Sequence, residues 1–187
     1  MLKAAESPLY RDMERTLYTK GEIRSRTEEL GRQITEDYAG DEVVCVCILK
    51  GAAVFFSDLV RCIDLPLKLD FMSISSYGTA TVSSGVVRIL KDLDRDILNQ
   101  NVLVVEDIID TGLTLSFLSQ NLVTRGAKTL KICTLLDKPA RRKVPLVPDY
   151  VGFQIEDHFV IGYGLDYVEK YRNLPDIGIL RPEVYSV

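Results

Sequence analysis

The chain has 187 residues, 47 % hydrophobic and 27 % charged, with a formal net charge of −4. That size and balance suit one globular domain with a full core. The acidic balance argues against a general nucleic-acid binder, which would need a basic face, but not against a phosphorylated metabolite held by local donors.

In chain order, residues 1–20 read as a loosely structured arm, and no signal-peptide core precedes the first predicted element. Residues 23–38 place Ile23, Leu30 and Ile34 on one face among charged residues, which predicts an amphipathic helix. A buried strand is predicted at 43–49 and a helix over 51–63, with Val54, Phe55, Leu59 and Val60 in register. Residues 67–74 alternate and predict a strand. Residues 77–85, mostly Gly, Thr, Ser and Ala, have the composition of a flexible loop, and 86–90 predict the strand that returns from it. The run Val102 to Ile109 predicts a buried strand, too short for a helix. A helix to about Arg125 and a strand at 129–136 follow. Pro139, Pro145 and Pro148 mark an irregular connection, and short strands are predicted at 150–155, 159–161 and 177–180. Strands alternating with helices imply an α/β fold, a mainly parallel twisted sheet flanked by helices, with ligands at the carboxyl ends of the strands. The short last strands predict a small hood built from the N- and C-terminal segments over that edge, within a single domain spanning 1–187. No segment approaches membrane-spanning length. Cys45, Cys47, Cys62 and Cys133 all sit in apolar surroundings and read as buried free thiols of a reducing compartment. With one histidine and no CxxC, a zinc site lacks donors.

The segment Val102-Leu103-Val104-Val105-Glu106-Asp107-Ile108-Ile109-Asp110-Thr111-Gly112-Leu113-Thr114 carries most of the functional information. Asp110 to Thr114 predicts a tight turn into a helix, since Leu115, Leu118, Leu122 and Val123 recur at helical spacing. A strand-turn-helix leaves backbone N–H groups unpaired at the helix start, a site for a phosphate. Thr111 and Thr114 add hydroxyls, and Gly112 lets the backbone come close to a ligand. It is no Walker loop, because the second Gly and the Lys are missing. Glu106 and Asp107 would repel a phosphate, so they should face hydroxyls or a metal.

Three further motifs fall at the same strand edge. Leu49-Lys50-Gly51 ends a strand and starts a helix, where amides and a cation suit a second anion; a solvated Lys50 is the alternative. Ser75-Ser76-Tyr77-Gly78 heads the flexible loop, which taken alone reads as a plain surface hairpin. The third motif combines Lys138 with the block from Phe159 to Tyr167 and with Arg172. A Phe followed by strand backbone stacks on a flat base and reads its edge through main-chain groups. A Lys donates to a carbonyl oxygen and accepts nothing, so a pocket with Lys138 over a purine would prefer a 6-oxopurine to a 6-aminopurine. Judged singly, Phe159 reads as core and Asp166 with Arg172 as a surface ion pair.

Together these motifs resemble those of the type I phosphoribosyltransferases, and of the hypoxanthine-guanine phosphoribosyltransferases in particular, over roughly residues 40–180. The resemblance implies that the chain binds phosphoribosyl pyrophosphate (PRPP) through Glu106, Asp107, Asp110, Thr111, Gly112, Leu113 and Thr114. The acids would hold the ribose hydroxyls and the loop the 5′-phosphate. It further implies pyrophosphate contacts from Leu49, Lys50, Gly51 and Arg172, with a cis peptide between Leu49 and Lys50. It assigns purine contacts to Lys138, Phe159, Val160 and Asp166, and a closing lid headed by Ser76 and Tyr77. The implied cofactor is Mg²⁺, held by Glu106, Asp107 and Asp166. The implied reaction transfers ribose 5-phosphate to N9 of hypoxanthine or guanine, with Asp110 as the group that takes the purine N7 proton. Nucleotide and pyrophosphate are the products, the cytoplasm is the compartment, and a homodimer or homotetramer is the assembly. Some relatives carry Lys at the positions of Leu113 and His158; Leu113 still offers its N–H, and His158 reads as a surface residue. The competing reading is a PRPP-sensing regulator with the same fold, which would carry a basic face or an added nucleic-acid-binding segment.

Overall fold

The computed structural model describes residues 7–76 and 87–186 of the chain; the predicted lid from Tyr77 to Gly85 lies outside them. The first element is not the expected loose arm. Met13–Tyr18 forms a strand, β1, although only Met13 of its six residues is fully buried. Its partner lies some hundred and sixty residues away, where Met13 pairs with Leu180 and Tyr18 with Ile177. Such a partner leaves no trace in local periodicity. Helix α1, Lys20–Asp37, opens on a capping box in which Thr19 and Glu22 satisfy each other's backbone N–H. Its buried face carries Ile23, Thr27, Leu30, Gly31 and Ile34, the spacing of one helical stripe.

The strand β2 (Val43–Leu49) and helix α2 (Ala53–Leu59) lead to β3 (Leu67–Ser76) and β4 (Val87–Lys91). Then come β5 (Asn101–Ile109), α3 (Leu113–Thr124), β6 (Thr129–Asp137) and β7 (Tyr150–Gln154). The main sheet has the order β4-β3-β2-β5-β6-β7, parallel except for β4. Both faces are covered, which is why β2 reads as an unbroken apolar run. Val43, Cys45, Cys47, Leu103 and Val105 face α1 and α2, while Val44, Val46, Ile48, Val102 and Val104 face α3. From β2 the chain turns to one side, to β3, and from β5 to the other, through β6 to β7. The winding therefore reverses between β2 and β5, and the crevice at their carboxyl ends is where such sheets bind ligands.

The remaining strands, β8 (Val160–Ile161) and β9 (Ile177–Leu180), join β1 in a small antiparallel sheet ordered β1-β9-β8, and the short helix α4, Pro182–Tyr185, follows it. This hood has its own core of Met13, Ile161, Tyr171, Leu174 and Leu180. Among the described residues, no helix is long and apolar enough to cross a membrane. All four cysteines are free; Cys62 is only half-buried.

Candidate active site

The carboxyl end of β5 delivers the central motif. Gly112 caps α3 with φ +78°, a left-handed conformation that glycine adopts without cost. No side chain caps the helix, so the amides of its first turn point outward, with only a long contact from Leu113 N–H to Thr111 Oγ1 at 3.4 Å. These amides, with Thr111 and Thr114, line a cavity of about 170 Å³ that also contains Glu106 and Asp110. Its shape and donors suit a phosphate. Gly112 serves more than close approach by a ligand. The structure gives another need as well: a Cβ there would stand 3.0 Å from Arg142 Cδ and 3.1 Å from Val144 Cγ2. The segment after β6 buttresses the loop from outside, with Lys138 N–H on the Ile109 carbonyl and Lys143 N–H on the Thr111 carbonyl, both at 2.9 Å. Arg142 also reaches back to the buried Asp137.

Glu106 and Asp107 are neighbours on a strand, so they leave it on opposite faces. Glu106 opens on the phosphate cavity and Asp107 on a second, larger one. Burial, and then the neighbouring Asp107 carboxylate, hold Glu106 well above the usual carboxylate range. Burial raises Asp107 too, against the pull of the Ile108 N–H, which donates to its Oδ1 at 2.8 Å. Two acids so placed favour partners that bring hydroxyl donors or positive charge.

The larger cavity, about 580 Å³, is lined by Asp107, Ile108, Asp110, Lys138, Arg141, Asp157, Phe159, Val160, Leu165, Asp166 and Tyr185. That volume suits a small organic ligand. Lys138, only 8 % exposed, donates from Nζ to the His158 carbonyl at 2.6 Å and lies 3.4 Å from Asp157 Oδ1. Phe159 is not core: it is 38 % exposed and shows its ring to the cavity. Arg141 links Asp110 at 2.8 Å to Asp157 at 3.0 Å.

On the β2 side, the Leu49–Lys50 peptide is cis. A Cβ on Gly51 would fall 1.6 Å from Asp107 Oδ2, so the two loops touch at the crevice. Gly164, at φ +101°, packs as closely on the Gly51 carbonyl. Lys50 Nζ lies 3.2 Å from Glu169 Oε2, with both side chains largely exposed. Arg172 pairs with Asp166 at 2.8 Å and donates to the Gly164 carbonyl at 2.8 Å. The pair foreseen as the plain alternative for Asp166 and Arg172 is thus present, and it borders the ligand cavity through Asp166.

Three carboxylates are named for Mg²⁺: Glu106, Asp107 and Asp166. Among the described residues no group of three His, Cys, Asp or Glu side chains gathers to hold a metal, so Glu106, Asp107 and Asp166 do not form a protein cage. Glu106 and Asp107 leave the strand on opposite faces, yet their carboxyls share a hydrogen bond, and both oxygens of Asp166 are engaged, by Arg172 and by the Glu169 N–H. Hard carboxylate oxygens presented singly still fit a Mg²⁺ that takes most of its ligands from substrate and water. Of the lid pair, Ser76 ends β3 and Tyr77 lies outside the described residues. Ile108, Arg141, Asp157 and Tyr185 line the cavity without having been singled out in the sequence. Ile108 alone carried a signal there, as the apolar residue directly after the acids.

A phosphoribosyl transferase domain family model matches residues 15–168. The chain is 51 % identical over 178 residues to the bifunctional protein TilS/HprT of Listeria monocytogenes, covering 95 % of this chain but 28 % of that protein. It thus spans little more than a quarter of the length of that relative. It is 51 % identical over 175 residues to the hypoxanthine-guanine phosphoribosyltransferase of Bacillus subtilis, covering 94 % and 97 % of the two chains. The crystal structure of a hypoxanthine phosphoribosyltransferase from Staphylococcus aureus superposes with a TM-score of 0.94 at 51 % identity, over 97 % of this chain and 99 % of that one. The chain belongs to the phosphoribosyltransferase family, on the branch of the hypoxanthine-guanine phosphoribosyltransferases.

Proposed function

We propose that the protein transfers ribose 5-phosphate from PRPP to N9 of hypoxanthine or guanine, giving IMP or GMP and pyrophosphate. The observation that carries this reading is the adjacency of two cavities across Glu106 and Asp107: one walled by helix-start amides, the other by Lys138 and Phe159. A phosphate in the first and a flat base in the second would leave a ribose over the acids between them.

In the reaction the purine N9 lone pair forms the bond to the anomeric carbon while that carbon's bond to pyrophosphate oxygen breaks, the electron pair leaving with pyrophosphate. Positive charge builds on the ribose ring. Glu106 and Asp107 hold the 2′- and 3′-hydroxyls so that the ring stays aligned for displacement. Asp110 takes the proton from N7 as N9 bonds. Lys138 donates to the 6-oxo group, Phe159 stacks on the base, and backbone at Val160 and the Asp166 region reads its edge. Lys50, Gly51 and Arg172 receive the pyrophosphate. Glu106, Asp107 or Asp166 would hold a Mg²⁺, which would supply charge neutralisation at the leaving group.

The chain acts in this reading as one domain whose hood closes one side of the base cavity. Cytoplasmic residence and a homodimer or homotetramer belong to the same proposal, and light scattering tests the assembly. The deciding experiment incubates the protein with PRPP, Mg²⁺ and a panel of free bases. Turnover should occur with hypoxanthine and guanine and stop on chelation. PRPP binding without turnover on any base would instead indicate a PRPP-sensing protein.

A further inference from the structure

Phe159 raises a packing question. Its ring belongs to none of the buried cores, yet a stacking platform must hold a fixed plane. Its backbone is secured, since the Phe159 carbonyl accepts the Leu180 N–H at 2.8 Å and Val160 pairs with Ile179. The ring itself is held by two tyrosines. Tyr167 meets it edge-on, at 5.5 Å and 88°. Tyr185 lies nearly parallel to it, with centroids 5.0 Å apart and planes at 21°. Tyr185 also lines the base cavity.

Tyr185 sits close to the end of the chain, but its position is built. It closes α4, which hangs from β9. Arg181 ties the start of that turn to the N-terminal segment, with its N–H on the Asp12 carbonyl at 2.9 Å and its Nε on the Arg11 carbonyl at 3.0 Å. Val184 packs on the hood core. The hood therefore carries Tyr185 to the rim of the cavity and sets it against the aromatic wall.

We propose that Tyr185 is a positioning residue of the purine site: its ring stacks on Phe159, holds that ring broadside to the base and closes the outer rim. The proposal rests on the reading of this cavity as the purine site. It binds the hood, and through Arg181 the N-terminal segment, to base recognition. The tyrosine hydroxyl has no part in it, so the ring alone should suffice.

The test compares Tyr185→Ala, Tyr185→Leu and Tyr185→Phe with Phe159→Ala in steady-state assays, with melting temperature as a control of folding. An aromatic pair of this kind is worth about three- to tenfold in an equilibrium. Tyr185→Ala should raise KM for hypoxanthine and guanine by that factor and leave KM for PRPP within about twofold of wild type. Tyr185→Leu, which keeps the bulk and loses the ring, should behave the same way should the alanine variant fold poorly, and Tyr185→Phe should restore wild-type values. An unchanged purine KM in the alanine and leucine variants would overturn the proposal. So would a lowered one, which would mean that Tyr185 stands where the base must lie. Equal rises in both KM values with a fall in melting temperature would reduce Tyr185 to a structural residue and overturn it as well. If Phe159→Ala leaves purine KM unchanged, the cavity is not the purine site, and the failure lies in that reading rather than in Tyr185.

Discussion

Arg141 donates from Nε to Asp110 Oδ1 at 2.8 Å, and its Nη1 reaches Asp157 Oδ2 at 3.0 Å. One oxygen of Asp110 is thereby engaged, and the other, without a hydrogen-bond partner among the described residues, borders the base cavity. Asp110→Asn keeps the shape of the side chain and the Arg141 contact region but removes the proton acceptor. A general base at this position predicts a loss of about 10²–10⁴ in kcat with PRPP affinity nearly unchanged. A variant within about threefold of wild type would remove Asp110 from proton transfer. The ion pair itself is a surface one, with both side chains nearly half exposed, so melting temperature should hardly move.

Lys138 is buried and its ammonium is committed to the His158 carbonyl. It keeps further donor capacity for an acceptor in the cavity. A charged hydrogen bond is worth about 1.5–3 kcal/mol, so Lys138→Ala should raise KM for 6-oxopurines roughly ten- to a hundredfold. PRPP affinity should stay near wild type. Loss of PRPP binding alone would move Lys138 to the phosphate side.

Gly51 and Asp107 bring two loops into contact across the β2–β5 crevice. A methyl at Gly51 would overlap the Asp107 carboxylate, 1.6 Å from Oδ2, and Asp107 has little freedom to yield because Ile108 N–H holds its other oxygen. Gly51→Ala should therefore weaken PRPP binding by tenfold or more, roughly the effect of misplacing a substrate-positioning group. Calorimetric titration with PRPP and Mg²⁺ measures it. Gly164→Ala, which meets the Gly51 carbonyl at a positive φ, should show the same defect with a stability loss of about 1–3 kcal/mol.

How far the site was legible depended on sequence distance. The acids, the Thr-Gly turn and the Lys-Gly step are each contiguous, and each lies at the end of a parallel strand, where one register error would bury it. The main sheet was legible for the same reason, since apolar runs on β2 and β5 need both faces covered. Three things were not. β1 buries only Met13 fully and pairs with β9, so its strand character comes from a distant partner. Arg141 lies in a proline-marked connection whose path has no period, and only its return over the Thr111 loop brings it to Asp110. Tyr185 reaches the cavity because the hood sheet carries it there, which no local pattern records.

The cysteines test the packing of the central layer. Burial pushes the Cys45 and Cys47 thiols up to about 12, and Cys47 is raised further by Glu106 and Asp107 above it. Burial raises Cys133 still more, and Cys62, only half-buried, is raised less. Thiolate is the reactive form, so at mildly alkaline pH the three buried thiols should resist alkylation until the protein unfolds. Mass spectrometry of the native protein should find Cys62 labelled alone, and all four cysteines labelled in denaturant. Early labelling of Cys47 would mean that the strand beneath the acids opens locally.

Gly112 offers the sharpest test of the phosphate loop, because two independent constraints meet at one residue. Its φ of +78° is unfavourable for any L side chain, and a Cβ would press on Arg142 and Val144 at 3.0–3.1 Å. Arg142 cannot retreat easily, since its guanidinium holds the buried Asp137. The strain must then go into the loop, which would swing the first-turn amides of α3 off their common focus. Positive φ in a non-glycine residue costs about 1–3 kcal/mol. Gly112→Ala should lower PRPP affinity about tenfold or more, with KM for the purine rising only as much as PRPP occupancy falls. The double variant with Val144→Ala relieves one of the two contacts and leaves Arg142 and the backbone conformation as they are. It should recover part of the affinity. Full recovery would assign the whole effect to crowding by Val144, and no recovery would assign it to Arg142 and the left-handed turn.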